Sequence, residues 1–136
     1  MKKGVIFLLA VLIFGYEIEI INGIKEKFDL KELDKYAYTA YIKPSFENKK
    51  HKYQFVFLSK IKDLFCPFYK TLVFETVDNE TVSFSLKEII QKNIVFAYKI
   101  DGKEILTKDK GPIQIIYLHN KNPLKEIYMV NKIICK

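Results

Sequence analysis

The chain has 136 residues, 49% of them hydrophobic, and a formal net charge of +7. That length suits one compact domain and excludes two ordinary ones, and the apolar and aromatic content excludes a disordered chain. All 23 basic residues are lysine, which disfavours a dedicated nucleic-acid or nucleotide-phosphate site, because such sites normally rely on the planar fork of arginine.

Residues 1–15 read as a secretory signal. Lys2 and Lys3 precede an apolar run from Val5 to Phe14, and Gly15 supplies a small residue at a cleavage point before Tyr16. The run is shorter than the roughly 20 apolar residues that a membrane helix needs. Ile13 is larger than the residue usual two positions before a cut, so an uncleaved anchor is the alternative. Cleavage leaves residues 16–136 with 21 Lys against 16 acidic residues, or +5. The expected location is periplasmic or secreted, and no block of five like charges marks a patch.

Glu17 to Ile21 alternates charged and apolar positions and predicts an opening strand, closed by a turn at Asn22-Gly23. Asp29 is placed to cap a short helix, with Glu32 as its capping-box partner and Leu30 and Leu33 on the apolar face. Tyr36 to Ile42 predicts a strand rich in rings, ended by Pro44. The polar stretch Ser45 to Lys52, with Lys49, Lys50 and Lys52 around His51, reads as an exposed loop. Tyr53 to Phe57 is then a second aromatic strand. Ser59 is expected to cap a helix with Leu58, Ile61, Leu64 and Phe65 on one side, stopped by Pro67.

Leu72 to Val77 and Thr81 to Ser85 flank Asp78-Asn79-Glu80 and predict a hairpin. Ser85 and Glu88 form the capping box of a short helix carrying Leu86, Ile89 and Ile90. The next strand, Val95 to Ile100, leads into Asp101-Gly102, whose residues suit a type I′ turn. Ile113 to Leu118 and Ile127 to Ile134 complete the strands. The fold class is α+β, a mainly β single domain with two or three short helices.

Cys66 and Cys135 are the only cysteines, and an exported chain makes them a disulfide candidate with a single possible intramolecular pairing. His51 and His119 belong to no metal-spacing motif. No phosphate loop, nucleophile elbow or His-Glu-x-x-His is present. Asp78, Glu80, Asp101 and Glu104 sit at hairpin tips as turn formers. Asn79-Glu80-Thr81 matches a glycosylation sequon. Tyr36, Tyr38, Tyr41, Tyr53 and Phe55 suggest either a stacking groove for a planar or sugar ligand or, more commonly, core and cross-strand contacts. No catalytic, cofactor-binding or metal residue is assigned.

Taken in order, several segments resemble the molybdopterin-binding domain of the sulfite oxidase type. They are the opening strand and turn, Phe28-Asp29-Leu30-Lys31-Glu32-Leu33, Leu58 to Phe65, Val77 to Ser83, Ala97-Tyr98, Asp101-Gly102 and Gly111-Pro112. The resemblance implies the fold of that domain over most of residues 16–136. It does not carry the family's chemistry. Members that hold molybdenum supply a cysteine thiolate from the chain before the helix corresponding to Leu58–Phe65, and no cysteine lies there; Cys66 falls after it. Gln114 stands where the family usually has arginine, and Tyr128 where a lysine precedes the closing aromatic residue, so two positive charges that suit a pterin phosphate are gone.

The expectation is therefore an exported, non-catalytic binding or accessory domain. It would act on an unknown protein or small-molecule ligand in the cell envelope, as a periplasmic input or partner protein of a membrane system, without nucleic acid. Molybdopterin is expected only if the family function is retained. The alternatives are a molybdenum-cofactor-dependent oxidoreductase with a non-standard metal ligand, and a lysine-rich envelope protein anchored by an uncleaved segment, the one case in which a membrane is a direct partner.

Overall fold

The structure is a computed structural model that describes residues 17–104 and 113–136. The predicted signal segment and the Gly111-Pro112 turn lie outside the described residues.

Two sheets carry the fold. The first has the order β2-β1-β10-β5-β6, formed by β1 (Glu17–Ile21), β2 (Lys25–Asp29), β5 (Thr71–Thr76), β6 (Thr81–Ser85) and β10 (Val130–Cys135). Only the β1 and β10 pair runs parallel, with Ile20 opposite Ile133; the other pairs in the sheet are antiparallel. The second has the order β3-β4-β7-β8, from β3 (Tyr38–Ile42), β4 (His51–Phe57), β7 (Ile94–Ile100) and β8 (Lys103–Glu104), and β9 (Gln114–Tyr117) pairs with β7.

Strand periodicity explains how the sheets meet. Successive side chains of a strand point to opposite faces. Along β7, Ile94, Phe96 and Tyr98 enter the main core with Ile18, Ile20, Phe74, Phe84 and Ile133 of the first sheet. The Phe74 and Phe96 rings stand 6.1 Å apart across the two sheets. Val95 and Ala97, on the other face, join Ile42, Tyr53, Phe55 and Ile116 in a second, smaller cluster. Because β7 is covered on both faces, its run from Ile94 to Tyr98 is buried throughout.

Two α-helices and a 3-10 helix fill the ends. The 3-10 helix, Leu30–Tyr36, is capped by Asp29, whose carboxylate accepts the Lys31 N–H at 3.0 Å, and it buries Leu30 and Leu33. α1 (Leu58–Phe65) buries Leu58, Ile61 and Phe65, and α2 (Leu86–Ile89) begins in the expected capping box of Ser85 and Glu88. The turn residues Asn79, Asp101 and Gly102 all adopt positive φ, at 66°, 52° and 78°, which suits the backbone tolerance of Asn, Asp and Gly.

Several local expectations are corrected. Ser59 is not the cap of α1: the cap lies two residues earlier, at Phe57, which is extended and offers no side-chain bond. Leu58 belongs to the fully buried core, so the chain turns where that side chain must enter, and packing overrides capping chemistry. Leu64, Leu86 and Ile90 lie outward, at 36%, 40% and 62% exposure, leaving Ile89 as the buried residue of α2. No strand was expected over Lys25–Asp29, yet β2 forms there; with one face exposed it lacks the apolar alternation that marks a strand. Tyr36 ends the 3-10 helix rather than opening β3, and His51 and Lys52 belong to β4 rather than to a loop.

Candidate functional site

The chain between β3 and α1 opens on a corner fastened by residues distant in sequence. After Ile42, Pro44 is buried, and the Ser45 N–H donates to Glu126 Oε1 at 3.0 Å. Glu126 Oε2 accepts the Tyr117 N–H at 3.0 Å, and the Lys121 ammonium lies 3.6 Å from the same oxygen. Phe46 packs its ring on Tyr128, with centroids 5.0 Å apart. Gln114, on β9, is fully buried. This corner is thus held by a carboxylate and two rings of the chain itself.

Cys66 and Cys135 are joined as a disulfide, with Cα atoms 5.5 Å apart. The bridge links the C-terminus of α1 to the end of β10, where both residues are buried. Bonded to each other, the two sulfurs offer no thiolate to a metal.

The histidines stand apart in their partners. His51 Nδ1 pairs with Asp101 Oδ2 at 2.9 Å, while the His119 N–H donates to Asn93 Oδ1 at 2.9 Å. Among the described residues, no three His, Cys, Asp or Glu gather as a metal site. Asp101 also accepts the Lys52 N–H, and these bonds hold its carboxyl below the usual carboxylate range. Its role is that of a turn anchor. Asp78 and Glu80 sit at an exposed hairpin tip whose N–H groups donate to the Thr76 hydroxyl.

The five aromatic residues proposed for one stacking groove are divided by the pleat. Tyr53 and Phe55 are buried in the second core cluster, Tyr36 ends the 3-10 helix, and Tyr38 and Tyr41 are exposed at 59% and 70%. Tyr38 stacks beside Phe55 with centroids 6.2 Å apart. Tyr41 projects to the opposite face, where the period-two alternation of β3 places Thr39 as well.

Two open grooves lie along this edge among the described residues. One, of about 400 Å³, is lined by Thr39, Tyr41, Lys52, Gln54 and Asp101. Beside it lies a polar network: Gln54 Nε2 donates to Asp34 Oδ1 at 2.9 Å and to the Tyr98 hydroxyl at 2.8 Å. The Tyr98 O–H donates to Asp34 at 2.7 Å, and Lys99 reaches the same carboxylate at 3.4 Å. Burial pushes the Tyr98 phenol up, Asp34 adds to that, and Gln54 works against it. The other groove, of about 440 Å³, lies where the 3-10 helix meets the start of α1 and is lined by Lys35, Tyr36, Tyr38, Phe57, Lys60 and Lys92. Sequence reasoning missed this grouping, since its residues are spread over three segments with no shared motif.

No family model matches the chain, and no curated protein matches it. Among solved structures, the fold is similar to that of the sulfane dehydrogenase SoxCD from Paracoccus pantotrophus, with a TM-score of 0.61 and 14% identity. The match covers 88% of this chain and 38% of that one, so the chain spans well under half of its neighbour's length. The likeness is one of fold, and with the mainly β architecture and short helices it fits the expected α+β class.

Proposed function

We propose that this chain is an exported, non-catalytic binding or accessory domain built on the molybdopterin-binding fold of the sulfite oxidase type. The observation that carries the reading is the corner between β3 and α1. In place of a thiolate, it offers Glu126 with both oxygens engaged and Lys121 beside one of them, and a Phe46–Tyr128 ring pair; Gln114, where the resemblance expects a cation, is buried on β9. That donor set does not fit a molybdenum–pterin group, which calls for a soft sulfur ligand and cations for its phosphate.

Two further features support the reading. The disulfide is of a kind that persists in oxidising compartments, in keeping with residues 1–15 acting as an export signal. The grooves beside β3 offer the concave, partly apolar surface that a ligand or partner needs. Among the described residues no helix is long and apolar enough to cross a membrane.

The test is to express the full chain in a host that makes the cofactor, then to measure molybdenum by mass spectrometry and pterin by fluorescence after oxidation. A folded protein free of both is the expected result. Near-stoichiometric metal and pterin would overturn the reading in favour of an oxidoreductase with an unusual ligand. N-terminal sequencing of the same material addresses export: a start at Tyr16 is expected, and a retained Met1 would indicate a membrane-anchored envelope protein.

A further inference from the structure

We propose that the groove between the 3-10 helix and the start of α1 binds a small oxyanion carried on an aromatic body, such as an aromatic phosphate, sulfonate or carboxylate. The inference rests on the binding-domain reading and gives that domain a site and a ligand class. Lys35, Lys60 and Lys92 line the groove together with Tyr36, Tyr38 and Ser59, and no carboxylate lines it among the described residues. Some lysines elsewhere meet acids: Lys99 pairs with Asp34, Lys125 with Glu88 and Lys132 with Glu75. None of the groove lysines is in an ion pair among the described residues. Three uncompensated positive charges around one concavity form a site that attracts an anion.

The fold holds these charges in place without neutralising them. Lys35 and Lys60 stand 5.3 and 5.1 Å from the centre of the Tyr36 ring, as cation–π contacts that leave each ammonium free to bond. Lys92 sits in the turn before β7 with φ at 51°. The first turn of α1 adds to the lysines: its cap, Phe57, contributes no side-chain acceptor, and the Ser59 hydroxyl lies in the same wall. An inorganic ion would leave the rest of the wall unused. Tyr38 is exposed, with its ring 5.4 Å from that of Phe57, and this pair offers a surface for an aromatic ring. Lysine is a flexible point charge and imposes no bidentate geometry, so phosphate, sulfonate and carboxylate share the required chemistry.

The experiment is an NMR titration of the full chain with phenyl phosphate, set against inorganic phosphate and phenol. Saturable shifts of the Tyr36, Ser59, Lys60 and Lys92 amides are expected, with phenyl phosphate bound about tenfold more tightly than either fragment. Lys60→Gln should weaken binding about tenfold, the loss expected for one charge-assisted contact. The combined Lys35→Gln, Lys60→Gln and Lys92→Gln variant should abolish it, while Lys70→Gln, at an exposed position outside the groove, leaves it unchanged. Thermal unfolding of each variant checks that the fold is kept. Absence of a saturable shift, a response unmoved by the triple substitution, or phenol binding as tightly as phenyl phosphate overturns the proposal. Any of these results leaves the binding-domain reading standing, because that reading fails only on metal and pterin content.

Discussion

Glu126 holds Ser45 across 81 residues of chain, accepting its N–H at 3.0 Å with one carboxylate oxygen while the other accepts the N–H of Tyr117. One side chain, 6% exposed, thereby fastens the segment after β3 to the end of β9. Removing it leaves the N–H of buried Tyr117 without its acceptor, which is costly, and frees the N–H of exposed Ser45 to water at lower cost. Glu126→Ala should destabilise the protein by about 1–3 kcal/mol, and Glu126→Gln, which keeps one acceptor oxygen, by about half as much. Urea unfolding checks both values. An alanine variant as stable as the parent would show that this carboxylate does not organise the corner.

The disulfide closes a sequence separation of 69 residues. In the chain-entropy model a loop of that size is worth about 4 kcal/mol, mostly through restriction of the unfolded chain. The Cys66→Ser, Cys135→Ser double variant should therefore unfold at markedly lower urea, and a reducing agent should shift the parent but not the variant. Equal midpoints for parent and variant would contradict this.

The capping box of α2 makes a pH-dependent contribution. Burial opposes ionisation of Glu88, but the Lys125 ammonium and the Ser85 N–H and hydroxyl outweigh it and hold the carboxyl below its ordinary 4.5. A carboxyl depressed in the folded state stabilises above its unfolded pKa, and that gain is lost as pH falls through the folded value. Glu88→Gln should cost about 1 kcal/mol at pH 7. The gap between variant and parent should narrow as pH falls below 4.5, as measured by denaturant titration across the acid range.

At the alkaline end the tyrosines set the limit. Burial, chiefly, raises the phenols of Tyr53, Tyr98 and Tyr117 above the ordinary 10.0. Groups raised in the folded state contribute stability below pH 10 that disappears as pH rises further. Absorbance at 295 nm should show some of the nine tyrosines ionising reversibly, and the rest only as circular dichroism reports loss of the fold. Tyr53 adds a sharper check, since its buried hydroxyl has no partner among the described residues. Tyr53→Phe should leave stability unchanged or raise it by up to about 1 kcal/mol. A loss of about 2 kcal/mol would mean that the hydroxyl is satisfied.

Where local chemistry and packing agreed, the sequence was readable. Ser85 with Glu88, Asp101 with Gly102, and Asn79 in its hairpin each state a backbone geometry in two or three adjacent residues, and the structure adopts them. Where they conflicted, packing won, as when Leu58 entered the core and displaced Ser59 from the cap. β2 was hidden because an edge strand with one exposed face and charged residues carries little hydrophobic signal.

Most of the strands and short helices, the α+β class and the absence of a cysteine before α1 were determined by the sequence alone, because hydrophobic period, turn chemistry and residue identity are local properties. The site was decided by tertiary structure. Closure of the corner by Glu126 joins residues 81 apart, and the groove of Lys35, Lys60 and Lys92 draws on a 3-10 helix, an α-helix and a turn. Such groupings depend on how the two sheets stack and which face of β3 each ring takes, and no local pattern encodes that arrangement.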